Sequence, residues 1–125
     1  MKVVSVVGNR PQFVKAAPLS RALRARMTEV LVHSGQHYDP ELADLFFDEL
    51  GVPQPDHALE VGAGSPLTQL AVMIARLEPL LLDETPDAML VYGDTTTTLA
   101  GALAAAKLGL PLAHVEAGLR SFDRS

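Results

Sequence analysis

Apolar positions in this chain fall in short unbroken runs. Val3, Val4, Val6 and Val7 make the first, and residues 30–33, 88–92 and 112–115 make three more. Runs of this length, without alternation of polar and apolar residues, mark strands covered on both faces. Between them the pattern becomes helical. Residues 11–26 begin on Pro11, which suits a first helical turn, and contain Pro18, which predicts a kink. Residues 40–50 place Leu42, Leu45, Phe46 and Leu50 on one face and stop at Gly51. Residues 66–84 predict the longest helix, with Pro79 expected to bend or split it, and the Ala- and Gly-rich residues 95–108 predict one that approaches a sheet closely and ends at Gly109. Residues 52–66, with Pro53, Pro55, Pro66 and "GAGS", read as one long loop.

Strands that alternate with helices predict a parallel sheet with right-handed crossovers and helices on both faces. The expected fold is therefore α/β, a three-layer Rossmann-like domain over residues 1–125. At 125 residues and 48% hydrophobic content, the chain is enough for one domain with its own core. The net charge of -5 is spread over both signs with no basic run, so nucleic acid is not an expected partner. The absence of Cys removes disulfides and thiolate catalysis and suits the cytoplasm. Arg76, Glu78 and Lys107 interrupt the best apolar stretches, so no membrane partner is expected either.

In open parallel sheets, ligands bind beyond the carboxyl ends of the strands. Here "GNRPQ", "SGQHYD", "GDTTTT" and "EAGLRS" follow the four strands, which brings Arg10, Gln36, Asp94 and Glu116 to one edge. Arg10 and Lys15 flank the start of a helix, where a cation is disfavoured by ~0.3–1 kcal/mol unless an anion compensates. That anion is either a ligand or a carboxylate of the chain. Asp94 reads as a helix N-cap or as a site carboxylate, and Glu116, set at a crowded strand end, as a structural ion pair or a site carboxylate.

Several familiar sites are excluded. "GNRPQF" lacks the spaced glycines of a dinucleotide fingerprint, and neither a phosphate-binding GxxxxGK[ST] loop nor a Gly-x-Ser-x-Gly elbow occurs. A phosphoacceptor receiver needs acids at the first strand end, where this chain has Asn9 and Arg10. His33 and His37 lie on strand and turn and would not share a helix face as metal ligands, His114 is expected in the sheet's packing and His57 in the Pro-rich loop. No metal and no cofactor is expected.

"GNRPQFVKAAPL", "SGQHYD", "VYGDTTTTLAGALAAAKLGLP" and "HVEAGLRSFDR" together resemble, in order and along essentially the whole chain, the N-terminal half of the non-hydrolysing UDP-N-acetylglucosamine 2-epimerases. The resemblance implies a glycosyltransferase-B-type fold of two Rossmann-like halves, of which residues 1–125 are the incomplete first and the C-terminal UDP-binding domain is absent. It implies a cytoplasmic homodimer that interconverts UDP-N-acetylglucosamine and UDP-N-acetylmannosamine by anti elimination of UDP, a 2-acetamidoglucal intermediate and re-addition. Arg10 and Lys15 match the family's substrate-binding cations, Asp94 and Glu116 its catalytic carboxylates, and Gln36 and His37 lie in the matching second-strand segment. Asn9 and Gln12 stand where the commonest opening has Thr and Glu. The resemblance also implies that residues 1–125 alone lack turnover. "RPQF", "GQHYD" and the Phe46-Phe47 pair resemble relatives acting on UDP-2,3-diacetamido sugar acids. A glycosyltransferase of the same fold and a non-catalytic anion-binding or dimerisation half are the remaining alternatives.

Overall fold

Lys2–Val7 (β1), Thr28–His33 (β2), His57–Ala58 (β3), Ala88–Tyr92 (β4) and Leu112–Val115 (β5) pair in parallel as one sheet in the order β3-β2-β1-β4-β5. Among the described residues three helices run with them, Arg10–Arg24 (α1), Pro66–Glu84 (α2) and Thr96–Leu108 (α3). This computed structural model describes residues 1–8, 10–34, 55–62, 64–93 and 95–115, and the helix expected over residues 40–50 lies outside them.

The central position of β1 follows from its composition. Val4 is level with Val30 on one side and Met89 on the other, and both faces of the strand are covered. On one face Val4, Val6, Val32 and Val91 pack with Met73, Leu77 and Leu81 of α2 and Ala100 and Ala104 of α3. On the other, Val3, Val7, Leu31, Leu90 and Tyr92 pack with Ala16 and Ala17 of α1. This is the expected three-layer α/β arrangement.

Small residues on α3 let it approach the sheet. A Cβ on Gly101 would lie 2.6 Å from Cγ1 of Val91, inside the core. We expect Gly101→Ala to destabilise the domain in urea unfolding and Gly101→Val to do so more. Overpacking costs about 1–3 kcal/mol, against at most about 1 kcal/mol of gained helix propensity. Trimming the neighbour with Val91→Ala should recover part of the Gly101→Ala loss.

Two expectations, the loop and the start of β2, are corrected. The loop expected over residues 52–66 contains β3, a two-residue edge strand held by backbone bonds from Asp56 N to Leu31 O (2.8 Å) and from Leu59 N to His33 O (2.8 Å). Two residues carry no periodicity, which is why the Pro-rich context dominated the reading. Pro18 and Pro79 both lie inside unbroken helices and are exposed, so the carbonyl that loses its partner can be hydrated. β2 begins at Thr28 and not at Val30, so Glu29 enters the sheet.

At the amino end of the sheet a polar cluster ties four elements together. Lys2 Nζ donates to Glu84 O (3.0 Å) and pairs with its Oε1 (3.3 Å), His57 Nε2 lies 2.7 Å from Glu84 Oε2, and Lys2 N donates to Asp87 Oδ2 (2.8 Å) just before β4. The His57 bond first, and Lys2 second, hold the Glu84 carboxyl below the usual carboxylate range.

Candidate active site

The carboxyl ends of the strands line up along the opposite edge. Ser34 N donates to Val7 O (3.0 Å), joining the ends of β2 and β1, and Gly93 N donates to Val115 O (2.8 Å), joining the ends of β4 and β5. The ring of His114 donates from Nε2 to Gly93 O, a second tie across the same gap. His114 thus braces the turn after β4, and is only partly buried.

The first turn of α3 sits directly on the end of β1. A Cβ on Gly8 would fall 2.4 Å from Thr97 Oγ1 and 2.9 Å from Thr97 Cβ, so this approach requires glycine. Thr98 Oγ1 donates to Tyr92 O (2.6 Å) and accepts from Thr95 N (3.1 Å). The N-cap of α3 is Thr95. The reading of Asp94 as that cap is thereby corrected: the threonine run begins with its own capping residue.

Both α1 and α3 start at this edge, each immediately after a strand, so two positive helix ends converge there. Burial lowers the pKa of His33 to about 4, which keeps the ring neutral at pH 7, and burial first, then the charge of Glu29, raise that of Tyr92. Among the described residues, Ser34 Oγ, Tyr92 Oη and Thr97 Oγ1 are buried without a hydrogen-bond partner. Two positive helix ends at one edge suit an anionic ligand. Among the described residues, no three His, Cys, Asp or Glu side chains are grouped as metal ligands.

Arg10 is the first residue of α1, two positions after Gly8, and Lys15 follows in the same helix. Asp94, Glu116, Gln36 and His37 lie outside the described residues. The residues that precede Asp94 and Glu116 in the chain are Gly93 and Val115, the pair hydrogen-bonded across β4 and β5.

One cluster near α1 escaped the sequence reading. Glu29, its side chain fully buried, accepts from Ser5 Oγ of β1 (2.7 Å), from Ser20 Oγ of α1 and from Arg24 Nε of α1 (3.1 Å). The available signal was Ser5, a lone hydroxyl amid the valines of a central strand.

Comparison with known proteins decides what kind of domain carries this edge. The family model for UDP-N-acetylglucosamine 2-epimerase matches residues 21–125. The chain belongs to this epimerase family. A UDP-N-acetylglucosamine 2-epimerase homolog of Methanococcus maripaludis is 54% identical over 124 residues, which cover 99% of this chain and 35% of the relative. The UDP-2,3-diacetamido-2,3-dideoxy-D-glucuronate 2-epimerase of Pseudomonas aeruginosa is 47% identical over 125 residues, covering 98% of this chain and 35% of that one. The crystal structure of the Methanocaldococcus jannaschii UDP-GlcNAc 2-epimerase in complex with UDP-GlcNAc and UDP superposes with a TM-score of 0.87 at 45% identity, covering 99% of this chain and 34% of that one. The chain therefore spans about a third of the length of the relatives it matches. None of its described helices is long and apolar enough to cross a membrane.

Proposed function

We infer that this domain forms one wall of the active site of an epimerase that reversibly converts UDP-N-acetylglucosamine to UDP-N-acetylmannosamine. In that reaction a base removes the C2 proton of the sugar, the C–H electrons form a C1=C2 double bond, and the C1–O bond breaks to release UDP. Re-addition of UDP with protonation of C2 from the other face completes the epimerisation. Arg10, Lys15 and the amino end of α1 stabilise the diphosphate as the C1–O bond breaks. Asp94 and Glu116 exchange the C2 proton, since inversion through a planar carbon requires proton transfer at both faces. Gln36 and His37 belong to the neighbouring strand end and are proposed as further substrate contacts. The full-length protein is proposed to act in the cytoplasm as a homodimer, with no cofactor.

The observation that carries this reading is the Gly93 to Val115 hydrogen bond beside the end of β1, in a chain of this family. It draws together the backbone leading into both carboxylates. A second substrate is favoured by a specific finding, the 47% identity to the Pseudomonas diacetamido-glucuronate epimerase. Proton NMR of the full-length protein with UDP-N-acetylglucosamine alone tests the proposal. Appearance of the C2 epimer without an acceptor is the expected result; turnover only with the diacetamido uronic acid would move the substrate, and turnover only with an acceptor would make the protein a glycosyltransferase. Residues 1–125 alone are expected to give no epimer, because water competes for every charge on an open cleft wall.

A further inference from the structure

Over its described side chains, residues 16–24, α1 meets the sheet through small apolar groups and through directed polar bonds. Among its described side chains, the buried apolar ones are Ala16 and Ala17, with Leu19 and Leu23 partly buried. Small side chains fix the depth of a helix on a sheet but restrain its sliding and rotation weakly. The directional restraint is Glu29. Its Oε2 accepts from Ser5 of β1, and its Oε1 accepts from both Ser20 and Arg24, which are one turn apart on α1. Arg24 also reaches Asp56 Oδ2 at 3.5 Å, and that same oxygen accepts from Leu31 N at 2.8 Å. The carboxylate thus fixes α1 against β1 and β2, with Arg24 tying it to the segment before β3.

We propose that Glu29 is a positioning residue, which sets the seat of α1 on the sheet and thereby the placement of Arg10 and Lys15 at the strand ends. The proposal rests on the substrate role given to those two cations above. A helix transmits a displacement along its length with little loss. Ser20 is ~7.5 Å of helix rise from Lys15 and ~15 Å from Arg10, at about 1.5 Å per residue. A shift of about 1 Å in groups that orient a substrate can lower a rate by about 10²-fold. Stability alone does not explain a buried carboxylate here, because a well-packed apolar replacement of a buried polar cluster is often neutral or stabilising. What an apolar replacement does not reproduce is the set of directed bonds to Ser5, Ser20 and Arg24.

The test uses the full-length protein, with Glu29→Gln as the mild variant and the triple variant Ser5→Ala/Ser20→Ala/Glu29→Met as the apolar one, which leaves no serine donor orphaned. Melting temperature, kcat and KM for the UDP-sugar, and amide hydrogen exchange along α1 are measured for each. The expected result for the triple variant is a melting temperature close to the parent's, faster exchange in α1 than in β1 and β4, and kcat/KM lowered at least ~10-fold. Glu29→Gln, which keeps one acceptor oxygen, should fall between parent and triple variant. Parent-like kinetics in a triple variant of parent-like stability would overturn the proposal and leave Glu29 a structural residue. Unchanged α1 exchange in both variants would overturn it equally. If the parent protein shows no epimerisation, the functional reading fails on its own, and the exchange data still decide whether Glu29 holds α1.

Discussion

If the full-length protein has the proposed activity, Asp94→Asn and Glu116→Gln are each expected to slow epimerisation and solvent deuterium incorporation at C2 of the sugar by at least ~10²-fold. Both substitutions keep the size and most of the hydrogen-bonding capacity of the side chain and remove its ability to carry a proton. UDP binding, measured by titration calorimetry, should survive in both. The stage of failure separates the two roles. A variant that eliminates but cannot return a proton to the proper face will release UDP and 2-acetamidoglucal, whereas one that cannot remove the C2 proton will release neither. If both variants exchange deuterium at the parent rate, neither carboxylate performs proton chemistry. Because Thr95 already caps α3, Asp94 would then be left as a counterion, as would Glu116.

Lys15→Ala should have an effect of similar size on catalysis and almost none on the fold. The first turn of α1 holds no acidic residue and begins on a second cation, Arg10, whereas Arg21 and Arg24 stand in the last turn, where the helix dipole favours them. A cation near the amino end costs the isolated helix ~0.3–1 kcal/mol, so its removal should leave the melting temperature within a few degrees of the parent's. kcat/KM for the UDP-sugar should meanwhile fall by about two orders of magnitude or more, as expected for a charge that stabilises a departing diphosphate. Kinetics and thermal unfolding are read on the same preparation. A marked loss of stability with near-normal turnover per folded molecule would assign Lys15 to an internal ion pair.

How far the molecule could be read from its sequence depended on the length of each signal. β1 and β4 announced themselves through runs of Val, Met and Leu that only a doubly covered strand needs, and α3 through its Ala and Gly content, which Gly101 against Val91 accounts for in distance. β3 was illegible because a two-residue edge strand is fixed by its neighbour's backbone and not by its own side chains. Glu29 was lost at a boundary: an acid before an apolar run reads as the end of a loop, and only the tertiary contact with Ser5 and Ser20 makes it part of a strand. At the site, the alternation of strands and helices made a parallel sheet legible but not the order β3-β2-β1-β4-β5, which depends on which side of β1 each crossover takes. The threonine run was legible as a helix start but not in detail. Which of four successive residues caps the helix depends on the hydroxyl of Thr98 reaching Tyr92 O, a contact without a pattern in sequence.

The Lys2, Glu84, His57 and Asp87 cluster lies at the amino end of the sheet, away from the proposed chemistry. Bonds that fasten β1, β3, α2 and the start of β4 are therefore spent where no substrate is expected. A protein tolerates change at its ligand edge only while the rest of the fold keeps it above its stability threshold. This separation gives the scaffold room for evolutionary divergence: the strand-end segments can be rewritten for a differently substituted sugar while the opposite end holds the strands in register. Relatives at 54% and 47% identity, one named for N-acetylglucosamine and one for a diacetamido glucuronate, span the range such a scaffold has accommodated.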